Sequence, residues 1–568
     1  MDRALWQVSY PKGVPKEIEI PKETVHGMLH KAVEKYPSTP AVIFALTPTV
    51  SKSWTYRDLW RQIVAFSRNL AAQGLKKGDR IALFLPNCPQ YIVAFYGALR
   101  AGLTVVQVSP LYVGDDLVFP IKDSGAKAVV TVDLLSHHLE EVWPRIKDRK
   151  LIVIVGRFKD VAPFIVGKFF LEGALRKKGM DPSLPTKYDF QLFTNFLQAG
   201  PPLPKMNFDP EKDVAVFQYT GGTTGRPKAA MLTHRNLVAN ALQLRSWDAE
   251  SREGNERVLS VIPFFHVYGM TVALNYPLFF GGTLIVNPEK PSPDSVLPLI
   301  DRFRPTEFPG VPALYNAINN DPRAKSLNLR SIRACLSGSA PLTVEITKKF
   351  EELTGGRLIE GYGLSEASPV THANPLVGNR KIGAIGLPVP NTDMRIVSLE
   401  DPTKDLGIEE SGELAVRGPQ VMKGYWNQPE ETALVLKDGW LFTGDIARVD
   451  KEGFVFVVDR KKDIVLVGGF NVYPREVEEV LYEHPDVLEA AAIGVPDDKL
   501  GEVVKAFVVP KPGTKPQQAD IIDFVRSRIA HFKAPRTVEF VDSLPKTLVG
   551  KVLRRELKKS VESPVPKA

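Results

Sequence analysis

The sequence has very little cysteine, which limits the kinds of protein it can encode. The only two cysteines among 568 residues, Cys88 and Cys335, lie far apart, and neither belongs to a CxxC pair. This argues against a disulfide scaffold or a cysteine metal cluster and suits a reducing cytosol. The sequence also shows no metal-ligand cluster and no nucleophilic triad.

Long hydrophobic runs are missing as well. The first residues, MDRALWQVSYPKG, lack the apolar core of a signal peptide. The most apolar stretch, VALNYPLFFGGTLIV at 272–286, is too short to span a membrane and is broken by Asn275, Pro277 and a glycine pair. We therefore expect a cytosolic protein.

The chain has no strong excess of charge of either sign. It has 73 basic and 65 acidic residues, a net charge of +8 and no long basic run, so we do not expect a nucleic acid partner. The mild positive charge suits anionic small molecules or an anionic membrane surface equally well. The length and ordinary composition predict a soluble globular protein of several structural units.

Short apolar runs alternate with helical patterns through most of the chain, which predicts an α/β fold with parallel sheets. The clearest strand-like runs are 80–86, 104–110, 127–133, 150–156 and 282–287. Short strands with glycine turns then predict a β-rich subdomain at about 375–459. We place the N-terminal domain at 1–459, a charged hinge at 460–462 and a small, mobile α+β domain at 463–568, although a plain surface turn could also explain the charged connector.

Residues 160–190 read as an insertion. Within them, FIVGKFFLEGALRKK can form one helix with an apolar stripe and a basic end. Such a helix could touch a membrane interface. A stripe of this kind more often packs against the protein core, and we expect that here.

The stretch QYTGGTTGRPKAAMLTHRNL at 218–237 concentrates glycine, threonine and positive charge. It follows a strand-like run, and a helix is predicted to begin at Thr233 or His234. A glycine- and hydroxyl-rich turn between a strand and a helix can cradle phosphate, although a solvated hairpin is an equal alternative. It is not a Walker A loop, because Gly225 is followed by Arg226 and Pro227.

Four further segments occur in order after this loop. They are SGSAPL (337–342), EGYGLSEAS (360–368), GWLFTGD (439–445) and PKTLVGKVLRREL (545–557). Together the five motifs resemble the adenylate-forming superfamily of acyl-CoA synthetases, adenylation domains and luciferases. The pattern is most similar to bacterial long-chain fatty acid–CoA ligases, through YTGGTTG, the stretch at 85–102 and the insertion at 160–190.

The resemblance implies a reaction in two steps. A fatty acid carboxylate reacts with ATP to give an acyl-adenylate and pyrophosphate, and coenzyme A (CoA) then displaces AMP. Long-chain fatty acid, ATP, Mg²⁺ and CoA are therefore the expected ligands. Contact with the inner face of the cell membrane and a homodimer are both compatible with the sequence, which leaves the oligomeric state open.

The resemblance also assigns the nucleotide contacts. The triphosphate would lie against Thr220, Gly221, Gly222, Thr223, Thr224, Gly225 and Lys228. Adenine would stack on Tyr362 and meet the backbone of Gly338, Ser339 and Ala340. Asp445 would accept hydrogen bonds from the ribose hydroxyls, and Arg460 would reach the ribose or a phosphate.

The remaining roles concern the reacting groups. Ser365, where the family usually has threonine, would donate to the α-phosphate, and Glu366 would bind Mg²⁺ together with Thr223. The resemblance makes Lys551 the mobile lysine that bridges carboxylate and α-phosphate. Lys462 matches the hinge position, and Gly468, Gly469 and Phe470 would cover the CoA channel after domain rotation.

Several alternatives remain open at this point. His266 matches a position near the acyl site, where it would act in positioning or gating, but it could equally be a core residue. By itself, Glu366 could be a charge at a helix N-terminus, and Lys551 could be solvated. The substrate could be a medium-chain or aryl acid, the acyl acceptor could be a carrier protein, and a non-catalytic binding protein could retain the fold.

Overall fold

The computed structural model describes residues 1–147, 150–177, 179–220, 227–547 and 551–562. It confirms the predicted fold class: several layered α/β sheets are followed by an antiparallel sheet and a small α+β unit. The hinge between two domains predicted at 460–462 stays a prediction.

The largest sheet has seven strands, and all of its neighbours are parallel except for the last pair. In spatial order the strands are Gln191–Leu192, Ile152–Gly156, Ala128–Val132, Arg80–Phe84, Thr104–Val108, Val214–Thr220 and Lys228–Thr233. Four of them coincide with predicted apolar runs. Such runs mark strands that are buried on both faces, as parallel strands between helices must be.

Helices cover both faces of this sheet. Gly114–Asp123 and Asp133–Ile146 share one hydrophobic core with it, and Tyr56–Ala72 and Pro89–Arg100 belong to the core on the other face. Thr55 caps the helix that begins at Tyr56 in a capping box with Asp58, which satisfies two free backbone donors. Apart from two helices in the insertion at 160–190, the other described helices before residue 250 are Ala4–Gln7, Val25–Lys35, Phe158–Val161, Phe193–Phe196 and His234–Trp247.

Two four-stranded sheets form a second layer. One contains Arg257–Ser260, Thr283–Val286, Pro40–Ala45 and Ser51–Thr55; the other contains Ala334–Ser337, Arg357–Gly363, Val370–Ala373 and Leu387–Pro388. Glu307 joins them, because it bridges in parallel to both Val258 and Ala334. The helices of this layer are Gly269–Asn275 (a π-helix), Tyr276–Phe279, Pro293–Phe303, Pro312–Asn320, Pro322–Lys325, Val344–Thr354 and Ser365–Ala367.

The glycine-rich loop connects two strands rather than a strand and a helix. The strands Val214–Thr220 and Lys228–Thr233 pair antiparallel, with Thr220 opposite Lys228. The helix begins at His234, and Thr233 is its N-cap, as predicted. The expected strand–loop–helix unit is therefore wrong in one respect, because the small and apolar residues after Lys228 extend the sheet before the helix begins.

The β-rich region is a five-stranded antiparallel sheet. Its strands are Asp393–Val397, Gly412–Arg417, Leu436–Lys437, Trp440–Val449 and Val455–Arg460, and the helix Pro429–Val435 lies beside it. Asp445 and Arg460 are direct partners in this sheet. The chain then passes through the short helix Lys461–Asp463 at the predicted hinge.

The C-terminal unit contains a second five-stranded sheet with helices packed against it. Its strands are Val465–Val467, Phe470–Val472, Val487–Asp497, Gly501–Pro510 and Thr537–Phe540, and its helices are Pro474–Tyr482, Gln518–Arg526 and Arg554–Glu562. Its core of small aliphatic side chains is separate from the cores of the large domain. This arrangement allows the unit to act as a distinct body.

The insertion differs from its prediction in two ways. It contains two short helices, Phe164–Phe169 and Leu171–Lys177, instead of one, and the large apolar side chains of Phe164, Ile165, Phe169 and Phe170 face solvent. Phe164 is 76% exposed and Phe170 is 64% exposed. Leu171 is buried in the main hydrophobic core, and Val166 and Leu175 pack against it. At Gly167 an added Cβ would lie 2.4 Å from the carbonyl oxygen of Lys159. The expectation that the stripe packs on the core is therefore correct for Val166, Leu171 and Leu175 and wrong for the exposed side chains.

Among the residues that the structure describes, no helix combines the length and the apolar character needed to cross a bilayer. The apolar stretch at 272–286 instead runs through the buried helices Gly269–Asn275 and Tyr276–Phe279 into the strand Thr283–Val286.

Candidate active site

Three predicted nucleotide contacts meet at the junction of two sheets. Tyr362, near the end of the strand Arg357–Gly363, donates a hydrogen bond from its hydroxyl to Asp445 Oδ2 at 2.6 Å. Arg460 Nε lies 3.3 Å from Asp445 Oδ1, so both carboxylate oxygens have a partner. Burial and the Asp445 carboxylate raise the pKa of Tyr362 well above its usual value, which keeps the hydroxyl a donor.

The expected adenine-binding loop follows the strand Ala334–Ser337. Ser339 has a φ of 72°, a left-handed conformation that is uncommon for a residue with a side chain. Gly338 packs so closely on Tyr268 that an added Cβ would lie 3.3 Å from its ring. The Tyr268 hydroxyl donates to the carbonyl oxygen of Leu336 at 2.6 Å. Tyr268 thus packs against the start of the loop that contains Gly338, Ser339 and Ala340.

The proposed Mg²⁺ ligand belongs to a second polar cluster. Glu366, in the short helix Ser365–Ala367, accepts a 2.7 Å hydrogen bond at Oε1 from the hydroxyl of Tyr425. The ammonium of Lys228 lies 5.3 Å from the centre of the Tyr425 ring and forms an ion pair with Glu431. Tyr425 therefore links the residue expected to bind phosphate with the residue expected to bind metal.

Sequence reasoning missed Tyr425 and Glu431. Both lie in GYWNQPEET (424–432), a tract whose glycine, aromatic and acidic residues suggest only a turn and a helix start. Their partners, Glu366 and Lys228, are 59 and 203 residues away in sequence. No spacing rule connects residues so distant, and only the three-dimensional structure joins them.

The donor set fits Mg²⁺. No group of three or more His, Cys, Asp or Glu side chains within the described ranges could hold a metal ion. A single carboxylate is nevertheless sufficient, because Mg²⁺ usually keeps several waters and takes further oxygens from the phosphates of its substrate. Glu366 would hold the ion here, whereas Thr223, the other expected ligand, lies outside the described residues.

Lys551 reaches this region from the C-terminal unit. Burial, helped by the positive charges of Arg460 and Lys462, lowers its pKa to about 7, while Asp445 and Asp463 oppose the shift. Its backbone is fixed by Thr547, whose N–H donates to the Lys551 carbonyl oxygen at 2.8 Å. The charges of Arg460 and Asp445 therefore act on a lysine that belongs to the C-terminal unit.

His266 also lies close to this centre. Burial lowers its pKa to about 4, and the charge of Lys551 contributes to the shift. Its Nδ1 accepts a 3.2 Å hydrogen bond from the backbone N–H of Tyr268. His266 is therefore neutral at physiological pH, which favours a positioning role over a role as a general acid.

The remaining predicted residues are dispersed. Gly468 and Gly469 have φ values of 57° and 86° in the turn before Phe470, and the centre of the Phe470 ring lies 5.0 Å from that of Phe532 in the same unit, with the two rings tilted. Among the described residues, no hydrogen bond or ring contact joins this turn to the Lys551 cluster. Lys462 lies in the short helix Lys461–Asp463 at the predicted hinge, where burial and the positive charge of Arg460 lower its pKa.

The five central residues of the predicted phosphate loop lie outside the described residues. They are Gly221, Gly222, Thr223, Thr224 and Gly225. The structure describes both ends of the loop: Thr220 and Lys228 are paired across the hairpin. Lys228 is thereby held on the side of the sheet edge where Glu366 and Tyr425 lie.

Comparison with protein families gives two matches in chain order. A family model described as AMP-binding enzyme matches residues 29–426, and one described as AMP-binding enzyme C-terminal domain matches residues 476–551. The first match covers more than half of the 568 residues.

Individual proteins resemble the chain over nearly its whole length. It is 45% identical over 562 residues to a long-chain-fatty-acid–CoA ligase of Bacillus subtilis (strain 168), with 97% of each chain covered. It is 39% identical over 565 residues to a protein of the same description from Escherichia coli O157:H7, with 98% of each covered. The crystal structure of ATP-bound MatB from Rhodopseudomonas palustris matches with a TM-score of 0.80 at 29% identity, covering 95% of this chain and 100% of that one.

Proposed function

This chain belongs to the AMP-binding enzyme family, and from that membership we propose that it is an AMP-forming long-chain fatty acid–CoA ligase. The observation that carries the proposal at the site is that Arg460 pairs with Asp445 and that the charges of both act on Lys551. A carboxylate and a triphosphate are both anions, so a site that joins them must supply fixed positive charge.

In the first step the fatty acid carboxylate attacks the α-phosphorus of ATP, and pyrophosphate leaves. Asp445 orients the ribose, Ser365 donates to the α-phosphate, and Lys551 neutralises the charge shared by carboxylate and phosphate. Glu366 would hold Mg²⁺, and the ion would supply positive charge to offset that of the phosphates. The backbone at Gly338–Ala340 provides a wall for adenine.

In the second step the CoA thiolate attacks the acyl carbon, and AMP leaves. The proposal requires the C-terminal unit to rotate about Lys462, which withdraws Lys551 and brings Gly468, Gly469 and Phe470 to the CoA channel. The exposed position of this turn supports such a movement, because it is free to reach another surface.

The homodimer stays a prediction that light scattering can test.

We expect ATP-dependent pyrophosphate release only when a fatty acid is present, with an optimum at long chains. Each buried CH₂ contributes about 0.8 kcal/mol, so a deep apolar tunnel favours long acids strongly. The measurement is pyrophosphate release with Mg-ATP across a ladder of chain lengths, with and without CoA. Thioester should form only with CoA, and absence of release with every acid would contradict the proposal.

The same experiment separates the alternatives. An optimum on medium-chain or aryl acids would keep the first step and change the substrate. Thioester formation on a holo-carrier protein in preference to CoA would change the acceptor. ATP binding without acid-dependent pyrophosphate release would favour a non-catalytic binding protein.

We further propose that the ligase works in the cytosol and touches the inner face of the membrane through its insertion. Phe164, Ile165, Phe169 and Phe170 are all exposed, and the ammonium of Lys168 lies 5.6 Å and 5.2 Å from the ring centres of Phe164 and Phe169. Exposed rings with a neighbouring lysine suit the interface of an anionic bilayer, where rings insert and cations meet headgroups.

Replacing Phe164 and Phe169 together with serine should weaken binding to anionic liposomes by about tenfold or more, since burying one such side chain contributes roughly 1.5–3 kcal/mol. Co-sedimentation measures the change. Val8→Ser is a matched control, because Val8 is 76% exposed but lies outside the insertion. Equal binding by the double variant and the wild type would rule out this surface.

A further inference from the structure

The ion pair between Lys228 and Glu431 has an unusual setting for a surface charge. Lys228 is only 8% exposed at the start of the strand Lys228–Thr233, and Glu431 lies in the first turn of the helix Pro429–Val435. The ammonium also faces the Tyr425 ring at 5.3 Å. Glu431 thus satisfies a lysine that has little access to water.

The structure fixes Glu431 relative to Lys228 through the backbone. The segment 423–426 runs beside the strand of Lys228: the N–H of Met231 donates to the carbonyl oxygen of Gly424, and that of Trp426 donates to Ala229, both at 2.9 Å. The N–H of Tyr425 donates to Thr432 Oγ1 at 2.9 Å, which ties the helix of Glu431 to this segment. These hydrogen bonds therefore tie the helix of Glu431 to the strand of Lys228.

Glu431 and a phosphate compete for the same partner. A carboxylate oxygen and a phosphate oxygen are both anionic acceptors for an ammonium group. We propose that Glu431 is a positioning residue that holds Lys228 in the free enzyme and releases it to the phosphates of ATP. This inference rests on the proposed function, because it takes Lys228 as a phosphate ligand.

The exchange affects both the binding of ATP and the release of pyrophosphate in the first step. Because the Lys228–Glu431 pair must break when phosphate binds, the net binding free energy is less favourable. The nearby Glu431 carboxylate also repels phosphate. By the reciprocity of binding equilibria, the same term helps pyrophosphate to leave, since Lys228 returns to Glu431. Glu431 therefore weakens the affinity for ATP and for pyrophosphate together.

The test compares Glu431→Gln with wild type by calorimetric titration of Mg-ATP and of Mg-pyrophosphate, without fatty acid. We expect about three- to tenfold tighter binding of both ligands, in the range of measured single charge-pair effects. Glu430→Gln is the matched control, because Glu430 is an exposed neighbour in the same helix, and its affinities should equal those of wild type. Glu431→Asp, which restores a carboxylate, should return the affinity toward wild type.

The sign of the effect separates this role from a structural one. A variant that only damages the fold binds ligand more weakly, and a variant without influence binds equally; either result would overturn the inference. As a second readout, Glu431→Gln should lower the melting temperature of the free enzyme and show a larger rise with saturating Mg-ATP than wild type. Wild-type protein that fails to bind Mg-ATP at all would overturn the proposed function itself, and the inference with it.

Discussion

Lys551→Ala should slow formation of the acyl-adenylate by about a hundred- to a thousandfold, the usual cost of removing one group that stabilises charge in a transition state. Thioester formation from supplied acyl-adenylate should stay close to the wild-type rate, because the proposed rotation withdraws Lys551 before CoA reacts. Single-turnover assays of the two half-reactions measure the rates separately.

The pH dependence of the first step provides a control. Because the pKa of Lys551 is lowered to about 7, the charged form predominates below that pH and is lost as the pH rises. The value of kcat/KM for adenylation should therefore fall above about pH 7 in the wild type. Lys551→Arg stays charged throughout this range and should lose that decline, whatever its absolute rate.

If Lys551→Ala damaged the fold, both half-reactions would slow. Arg554, three residues after Lys551, donates to Glu478 at 2.7 Å and to Asp463 at 3.2 Å. This partly buried network anchors the segment independently of the Lys551 side chain, so the alanine variant should remain folded. An equal loss in both half-reactions would contradict the two-conformation interpretation.

The sequence was sufficient for the fold class because its signals are local. Mainly apolar runs such as 104–110 correspond to parallel strands buried on both sides, and Thr233 ends its strand as a helix cap. The hairpin around the glycine-rich loop was missed, because KAAMLT has neither strict alternation nor β-branched residues at most positions. Pairing with the preceding strand decides its conformation.

The site could be predicted only in part for the same reason. Motifs place Tyr362, Asp445 and Lys551 in a nucleotide site through resemblance, but they do not indicate that the Tyr362 hydroxyl binds Asp445. That contact depends on how two sheets meet. The exposure of Phe164 and Phe170 likewise depends on what packs around the insertion, and periodicity alone does not reveal it.

A second large effect is expected at Arg333, which lies just before the strand that leads to the proposed adenine-binding loop. Its guanidinium donates two hydrogen bonds to Asp248, at 2.9 Å and 2.7 Å, and lies 3.3 Å from Glu256 and 3.4 Å from Glu307. All three acids are buried. Arg333 directly precedes the strand Ala334–Ser337 that leads to Gly338, so this cluster supports the nucleotide site as well as the junction of the two four-stranded sheets.

Arg333→Met should reduce the free energy of unfolding by roughly 3–5 kcal/mol, because it leaves buried carboxylates without their counter-charge. The measurement is urea unfolding at neutral pH. Arg323→Met is the control: Arg323 also pairs with two acids, Asp321 and Asp294, but on the surface, and its loss should leave the unfolding midpoint close to wild type.

The pH response of Arg333→Met distinguishes lost charge balance from lost packing. Burial and the neighbouring acids Asp248 and Glu256 raise the pKa of Glu307 above its ordinary value of 4.5 even with Arg333 present. The folded protein therefore binds more protons at this cluster than the unfolded chain, and the penalty grows as the pH rises above 4.5. Lowering the pH from 8 toward about 5 should narrow the gap between variant and wild type. A gap that is independent of pH would mean that the methionine disturbs packing rather than charge.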